Sequence, residues 1–288
     1  MPTMSHLPED LSPHGHDPEL PEAIYLPEAS PGDGAERVLP TDLARGPWDP
    51  NAQHGGPPAA LLARCIERHE PEDTLFVSRV AVELLRPVPI SLLTLTTRTI
   101  RPGKRVQLVE TVMRAGEVEI ARATGLRTRV TPLEETPATP AISLPAPAES
   151  LPSMPAFPAM PGQGFITHAV ELRPISMGAM GGGPPAQGMV WFRARVPLVA
   201  GEELTPTARV LMAADAQGGM SAVLDFTRYT FINPDLTVYL HRAPVGEWIG
   251  VECQSWVEPS GSGMAESVLH DAQGRIGRGA QALSIALR

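Results

Sequence analysis

Hydrophobic and polar positions divide the chain into two stretches of similar design. Each contains one segment that is apolar on nearly all sides, which predicts a buried helix. Segments in which apolar residues alternate with polar ones follow it, and these predict strands. The helices are predicted at about Ala59–Arg68 and Thr207–Ala216, the second ending at Gly218-Gly219. Pro57 and Pro206 lie near the two helix starts, where the N–H that proline lacks would have no partner.

The strand-like runs occur in a similar order in both stretches. In the first stretch they are Arg37–Thr41, Leu75–Leu85, Leu92–Arg101, Val106–Arg114 and Val118–Val130. In the second they are His168–Leu172, Met189–Val196, Phe226–Ile232, Leu236–Leu240, Trp248–Trp256, Gly263–His270 and Arg275–Ala286. The predicted fold class is α+β, a tandem (double) hot-dog fold in which each half is an antiparallel sheet wrapped around a central apolar helix.

A constant offset between identical residues indicates a duplicated domain. Several residues of the second stretch lie 156 positions after an identical residue of the first: Leu240, Arg242, Glu266, Val268, Ile276 and Arg278. The matching residues of the first stretch are Leu84, Arg86, Glu110, Val112, Ile120 and Arg122. An internal repeat this long, well above the roughly 20–50 residues of a solenoid unit, indicates duplication of a whole domain.

Composition marks a tail and a linker outside the two halves. Residues 1–33 are rich in Pro, His, Asp and Glu without a hydrophobic period, so we expect a disordered or loosely tethered N-terminal tail. The N-terminal hot-dog domain is assigned to residues 34–130, the Pro-rich linker to 131–163 and the C-terminal hot-dog domain to 164–288. The alternative for the linker is a long surface loop, held down by Leu144, Leu151 and Phe157.

Charge and cysteine content exclude several classes of protein. The net charge of −9 provides no basic surface for nucleic acid. Residues 1–31 lack the basic start and apolar run of a signal peptide, and no stretch reaches the roughly 18 apolar residues of a membrane helix. The two cysteines lie in no disulfide or metal-binding pattern. We therefore expect a cytoplasmic protein without metal, cofactor or membrane contact.

Short motifs in both halves carry a resemblance to a known family. In the first half they are Trp48, His54-Gly55-Gly56 and Arg101–Glu110. In the second half they are Asp215, Leu240-His241-Arg242, Glu247-Trp248, Ala265-Glu266-Ser267 and Gly277–Gln281. Over residues 35–288, except the linker, the chain resembles the TesB-like (thioesterase II type) acyl-CoA thioesterases. The resemblance implies hydrolysis of acyl-CoA to free acid and CoA without a cofactor, and it makes a homodimer plausible because double hot-dog chains commonly pair further.

The resemblance also implies that an Asp, a hydroxyl residue and a Gln orient the attacking water. By position these are Asp215 near the end of the second helix, Asn233 where the family has Thr or Ser, and Gln281 in the last strand. Asn donates and accepts hydrogen bonds, so it can take the hydroxyl role. Thr237 is the alternative if the strand register slips. Asp215 and Gln281 could instead be exposed surface residues.

Other hydrolytic mechanisms lack their motifs. The chain contains no GxSxG nucleophile elbow, no HExxH motif and no clustered His. A water directed by a carboxylate is the simplest remaining route. At the offset of 156, Asp215 and Gln281 correspond to Ala59 and Gly125. The polar groups are therefore predicted in the second half alone.

Two groups of residues are candidates for binding the substrate. The start of the first helix offers a pocket-lining side chain and backbone N–H groups that favour a developing negative charge, at His54, Gly55 and Gly56. These glycines could equally serve a tight turn and close packing. The densest basic cluster would bind the phosphates of CoA or else form a solvated hairpin tip: Arg101, Lys104 and Arg105.

Two other functions fit the same fold. A hot-dog hydratase or dehydratase acting on enoyl or 3-hydroxyacyl thioesters would need an Asp/His pair, and no His lies close to Asp215 in the sequence. A non-catalytic acyl-thioester-binding protein would be consistent with Asn233 in place of a hydroxyl residue.

Overall fold

A 13-stranded antiparallel sheet runs through both halves of the chain. This computed structural model describes residues 20–30, 32, 34–135, 145–154, 164–178 and 186–288. The strands of the first half are β1 (Tyr25–Glu28), β2 (Glu36–Pro40), β3 (Leu75–Leu84), β4 (Leu93–Arg101), β5 (Val106–Ala115) and β6 (Val118–Arg129). Those of the second half are β7 (Val170–Ser176), β8 (Gln187–Ala194), β9 (Tyr229–Ile232), β10 (Asp235–Leu240), β11 (Ile249–Val257), β12 (Ser262–Asp271) and β13 (Gly274–Leu287). Every predicted run contributes a strand.

The helices pack against each other and against the sheet. Their bounds are α1 (Gly56–Arg68), α2 (Pro206–Ala214) and the one-turn α3 (Gln217–Met220). All residues of α1 from Gly56 to Ile66 are buried, as expected for a helix enclosed by a curled sheet. α1 contacts α2 directly, and one continuous hydrophobic core joins the two halves.

The two halves are related by a pseudo-two-fold axis. The sheet order is β1-β2-β4-β5-β6-β3 followed by β10-β13-β12-β11-β8-β7, so the two halves run outward in mirrored order from the β3–β10 pair. At that junction Ala81 pairs with Thr237, two residues that differ by 156 positions. A residue faces its own counterpart only at a two-fold axis. The axis therefore passes through this pair.

The offset of 156 holds along the paired strands. Shifted by 156 positions, the bounds of β4 and β5 become those of β11 and β12, and the start of β6 becomes that of β13. Even a register shift is repeated, between Met113 and Arg114 in the first half and between Leu269 and His270 in the second. The predicted duplication is confirmed at the level of strand register. We call two residues separated by this offset counterparts.

The offset does not extend to the helices, which corrects two predictions. α2 ends at Ala214, and Gly218 and Gly219 lie within α3 instead of marking the end of a longer helix. Asp215 lies at the C-terminal end of α2, whereas Ala59 lies in the first turn of α1. Asp215 and Ala59 are therefore not structural equivalents. An insertion or deletion before the helix shifts its register relative to the strands.

The expectation of a disordered or loosely tethered tail is wrong for part of residues 1–33. Residues 25–28 form β1, which pairs with β2, and Ile24 and Tyr25 are fully buried. The N–H groups of Ile24 and Tyr25 donate to the carbonyls of Pro197 and Leu198 in the other half. A four-residue strand is too short to show a period, so the sequence pattern missed it. Residues 1–19 lie outside the described residues.

Part of the predicted linker packs on the C-terminal half, in agreement with the surface-loop alternative. The indole N–H of Trp191 donates to the carbonyl of Ala146 at 2.9 Å, and the N–H of Met154 donates to Leu172 at 2.8 Å. Leu151 packs against a small cluster around Trp191 and Trp248. The other two predicted anchors, Leu144 and Phe157, lie outside the described residues.

The described helices are short compared with a bilayer. In the described part of the chain, no helix has both the length and the apolar character needed to cross a membrane.

Cys65 and Cys253 are both buried and both free.

Candidate functional site

A cavity of about 370 Å³ opens where the two halves meet. Its walls come from the start of α1, the junction of α2 and α3, the loop between β9 and β10, and the last strand β13. This volume lies within the roughly 300–1,000 Å³ of small-molecule sites. Five of the predicted site residues line it: His54, Gly55, Asp215, Asn233 and Gln281.

Asp215 is the buried carboxylate in the wall of this cavity. It ends α2 and is 4% exposed, so the surface alternative is wrong for it. Its Oδ1 accepts a hydrogen bond from Nδ2 of Asn233 at 2.8 Å, and its Oδ2 lies 2.9 Å from Nδ1 of His54. Two partners hold the carboxylate in one orientation. Each oxygen keeps a second lone pair, so a further donor in the cavity can still bind.

The contact between His54 and Asp215 corrects the expectation that no histidine is close to this carboxylate. The two residues lie 161 positions apart, so no local sequence motif could predict the contact. His54 Nδ1 also lies 3.1 Å from the N–H of Gly56, which needs an unprotonated nitrogen, whereas donation to Asp215 needs a protonated one. A hydrogen bond to an ionised carboxylate is the stronger of the two, so we assign the proton to Nδ1 on that ground.

Of the two alternatives for the hydroxyl position, the structure brings Asn233 into contact with Asp215. Asn233 lies in the loop between β9 and β10, and its amide also donates to the carbonyl of Asp235 at 3.3 Å. Thr237 lies within β10, where Leu236 and Val238 are buried. Because successive side chains of a strand point to opposite faces, Thr237 faces away from the helices. It does not line the cavity.

Gln281 extends from β13 under α3. It is 3% exposed, so the surface alternative is wrong for this residue as well. Its amide lies against Gly218, where an added Cβ would come within 2.7 Å of Nε2. Its Oε1 is buried and has no hydrogen-bond partner among the described residues. A buried acceptor without a partner is costly, so this amide oxygen has an unused capacity to accept a hydrogen bond.

Gly55 and Gly56 serve close packing, and Gly55 also lines the cavity. A Cβ on Gly55 would lie 2.5 Å from Oδ1 of Asp215, and one on Gly56 would lie 2.9 Å from the ring of Phe165. Any side chain at position 55 would therefore displace the carboxylate. Pro57 and Pro58 have no N–H, so the free amides at this end of α1 are those of Gly55 and Gly56. The packing interpretation is supported, and Gly55 is in addition a lining residue of the cavity.

An aromatic cluster that the sequence did not reveal forms another wall. The ring of Trp48 lies 4.7 Å from that of Phe226 and 5.0 Å from that of Phe231. The guanidinium of Arg288 lies 5.5 Å from the Trp48 ring and 5.3 Å from the Phe226 ring. Such rings bury much apolar area and suit an acyl chain. Aromatics are only 5% of the chain, so the two phenylalanines that follow Asp215 by 11 and 16 positions were a usable signal, whereas the approach of Trp48 required the fold.

The basic cluster does not reach the cavity. Arg101, Lys104 and Arg105 form the β4–β5 turn, which adjoins the start of β3 through Arg129. The cavity is lined by Leu84 at the other end of β3. Nine steps of a strand span about 30 Å. Within this chain, the geometry does not support these three residues as partners of a substrate in the cavity, and the solvated hairpin tip is the better interpretation.

The site offers carboxylate-directed chemistry. The described residues contain no group of three or more His, Cys, Asp or Glu side chains that could hold a metal ion. What they offer is an oriented carboxylate, two amides and an imidazole beside an apolar wall.

Two family models match the chain in succession. The model of the acyl-CoA thioesterase N-terminal domain matches residues 44–128, and that of the acyl-CoA thioesterase C-terminal domain matches residues 148–285. Together they cover most of the 288 residues. Among functionally curated proteins, none matches the sequence.

Solved structures share the whole fold. A hot-dog protein from Alicyclobacillus acidocaldarius superposes with a TM-score of 0.70 at 13% identity, over 90% of this chain and 95% of that one. The tesB protein of Mycobacterium avium subspecies paratuberculosis gives 0.65 at 15% identity, over 90% and 95%. Acyl-CoA thioesterase II TesB2 from Mycobacterium marinum gives 0.63 at 14% identity, over 88% and 92%. The predicted tandem hot-dog fold is confirmed.

Proposed function

The chain belongs to the TesB-like acyl-CoA thioesterases, and from this premise we propose that it hydrolyses acyl-CoA through a water held by Asp215, Asn233 and Gln281. The family supplies the reaction, acyl-CoA and water giving a free acid and CoA. The assignment of this reaction to these side chains is the proposal.

Asp215 acts as the general base in the proposed mechanism. Its carboxylate takes a proton from the water while the water oxygen bonds to the thioester carbonyl carbon, and the carbonyl oxygen becomes an oxyanion. The tetrahedral intermediate then collapses and the C–S bond breaks. The departing CoA sulfur takes the proton from Asp215. The carboxylate is regenerated, and no covalent enzyme intermediate forms.

The amide of Gly55 is the proposed donor to the oxyanion. It lies at the start of α1, where free N–H groups and the helix dipole favour negative charge. A donor fixed before the reaction stabilises the transition state without reorganisation. The same glycine allows Asp215 to approach, so base and oxyanion donor lie side by side.

Three further side chains have distinct proposed roles, one in contact with the water and two in orienting Asp215. Gln281 would contact the water through its unpaired Oε1, which makes it a catalytic residue in this proposal. Asn233 acts through its hydrogen bond to Asp215 and is a positioning residue. His54 holds the other carboxylate oxygen and is a second positioning residue.

One observation carries the proposal. A buried carboxylate whose two oxygens are each held by a partner lines a cavity together with an apolar aromatic wall and Gln281, whose buried amide oxygen has no partner among the described residues. Water-directed hydrolysis of an acyl thioester uses each of these features. An exposed or disordered carboxylate would support no such role.

The test is release of free thiol from a panel of acyl-CoAs of increasing chain length. We expect wild type to release CoA from at least one chain length, Asp215→Asn to be strongly impaired, and Asp73→Asn to match wild type. Asp73 is an exposed carboxylate that does not line the cavity, so it controls for the change of charge. Equal rates for Asp215→Asn and wild type would contradict the proposed base.

A second function, hydration of enoyl thioesters or the reverse dehydration, is favoured by the 2.9 Å contact between His54 and Asp215. Such a pair can add or remove a proton at carbon while activating water. Incubation with a trans-2-enoyl-CoA separates the two reactions, because hydrolysis yields free thiol and hydration yields a 3-hydroxyacyl-CoA with its thioester intact. Binding of the enoyl-CoA with neither product would favour the non-catalytic binding protein.

A further inference from the structure

We propose that Arg86 binds the phosphate groups of the CoA part of the substrate at the mouth of the cavity. The inference rests on the proposed function, because it places an acyl thioester in this cavity. Arg86 is exposed, lines the cavity and forms no ion pair with any residue that the structure describes. Among the described lining residues it is the one arginine or lysine.

The duplication shows why Arg86 is free. Its counterpart Arg242 makes a two-pronged ion pair with Asp271, with Nη2 donating to Oδ1 at 2.6 Å. Asp271 is fully buried and also accepts the N–H of Val245 at 2.8 Å. The counterpart of Asp271 is Ala115. The first half thus keeps the arginine and lacks its carboxylate, which leaves a guanidinium available for another anion.

Backbone hydrogen bonds fix the segment around Arg86 next to the loop between β9 and β10, which contains Asn233. The N–H groups of Leu85 and Arg86 both donate to the carbonyl of Ile120, at 3.0 and 3.2 Å. The N–H of Leu84 donates to the carbonyl of Pro234 at 2.7 Å, one residue beyond Asn233. The side chain of Arg86 therefore extends from a backbone segment that is hydrogen-bonded to the loop whose Asn233 contacts Asp215. A ligand bound by Arg86 would have a defined position relative to the site.

Charge explains why such a cation is needed. The protein carries a net charge of −9, and the other ionisable residues lining the cavity are Asp49, His54 and Asp215. CoA carries several phosphate charges at its nucleotide end. That end is too large to share a cavity of about 370 Å³ with the acyl chain, so it must lie at the mouth. Guanidinium groups bind phosphate with two parallel hydrogen bonds.

The experiment compares Arg86→Gln with Arg98→Gln, which removes the same charge from an exposed strand position outside the cavity. Each variant and wild type hydrolyse one acyl chain presented on CoA, on 3′-dephospho-CoA and on pantetheine, which lacks the phosphates. For Arg86→Gln we expect KM for acyl-CoA to rise about tenfold, equivalent to about 1.4 kcal/mol, with kcat unchanged. KM for acyl-pantetheine should not change, and Arg98→Gln should match wild type throughout.

The outcomes are distinct. A rise in KM that persists with 3′-dephospho-CoA assigns Arg86 to the diphosphate, and one that disappears assigns it to the 3′-phosphate. An equal rise for acyl-pantetheine, or no rise for acyl-CoA, overturns the inference. If wild type hydrolyses none of the thioesters, the proposed function fails, and calorimetric titration with CoA decides the inference alone. Weaker CoA binding by Arg86→Gln then supports it, whereas equal or absent binding by both proteins overturns it.

Discussion

The cavity beside the end of α2 has a counterpart beside the end of α1, and that counterpart is closed by side chains. In place of Gln281 the first half has Gly125, which lies directly against Ile66 of α1. In place of Asn233 it has Val77, a buried apolar residue. The same strand register therefore supports a polar, open site in one half and a packed core in the other.

The end of α1 is closed by a buried arginine that the second half lacks. Arg127, 2% exposed, donates to the carbonyls of Ile66, His69 and Glu70 at the C-terminal end of α1. A cation at a helix C-terminus is favoured by the helix dipole, and here it also satisfies the last carbonyls. Its counterpart is Leu283, which cannot donate. α2 ends early, and its end presents Asp215 to the cavity.

A small number of substitutions thus separate the packed half from the half that contains the cavity. Gln281 in place of Gly125 supplies a polar group, and Asn233 in place of Val77 orients the carboxylate. Leu283 in place of Arg127 removes the side chain that closes the helix end. Reversing each difference in turn gives a variant that isolates the contribution of one residue.

Gln281→Leu should have the largest effect, because it removes the amide that distinguishes the open site. We expect kcat for acyl-CoA hydrolysis to fall about 10²–10³-fold, the range for losing one positioned polar group in an active site. Thermal unfolding should change little, since Oε1 has no partner to lose among the described residues. Gln107→Leu in β5 is the matched control, and an unchanged kcat for Gln281→Leu would remove this residue from the site.

Arg127→Leu gives the first half the residue that the second half has at this position. It should lower stability and leave activity unchanged. Burial lowers the pKa of Arg127, yet its charge is still held by three carbonyls. We expect the free energy of unfolding in denaturant to fall by about 3 kcal/mol, because the carbonyls at the end of α1 lose their donor. KM and kcat should stay near wild type. A loss of activity without loss of stability would contradict the structural role.

Asp271→Ala copies Ala115 into the second half and should cost about 2 kcal/mol of unfolding free energy at neutral pH. Burial alone would raise the pKa of Asp271, but Arg242 and two backbone N–H groups hold it below its ordinary value. A lowered pKa contributes stability that is present above the unfolded value, about 3.9, and is lost as the pH falls through the folded pKa. The difference between wild type and variant should therefore be constant at pH 5–8 and shrink below about pH 4. A constant difference at all pH values would contradict the ion pair.

Asn233→Val, which copies Val77, should have the smallest effect of the four. It removes one hydrogen bond of about 1.5 kcal/mol to an ionised partner, so we expect kcat to fall about tenfold. Asn233→Thr restores the family's hydroxyl and should retain activity within a few-fold. If both variants lose activity equally, the position serves packing and not the orientation of Asp215.

The strands were predictable because their evidence is local. Alternation of apolar and polar residues marks β4, β5 and β6, and the offset of 156 transfers them to the second half. β1 was missed because four residues carry no period, and α3 was missed because Gly218 and Gly219 suggest a helix end. Short elements are fixed by tertiary contacts that no sequence window contains.

The residues of the candidate site were predictable, whereas their contacts were not. Asp215, Asn233 and Gln281 were selected by resemblance, and the structure brings all three to one cavity. The contact of His54 with Asp215 joins residues 161 positions apart in different halves, so it required the fold. The basic hairpin was chosen by charge density alone, which says nothing about distance from the cavity.

A single-turnover reaction in ¹⁸O-labelled water, with enzyme in excess over acyl-CoA, tests the central claim most directly. If Asp215 activates a water that attacks the thioester, the free acid carries one ¹⁸O atom and Asp215 carries none. If Asp215 instead attacks the thioester itself and the resulting anhydride is opened at the aspartyl carbon, the acid is unlabelled and the label appears in the peptide containing Asp215. Labelled acid is the predicted result, and unlabelled acid with labelled Asp215 would contradict the account.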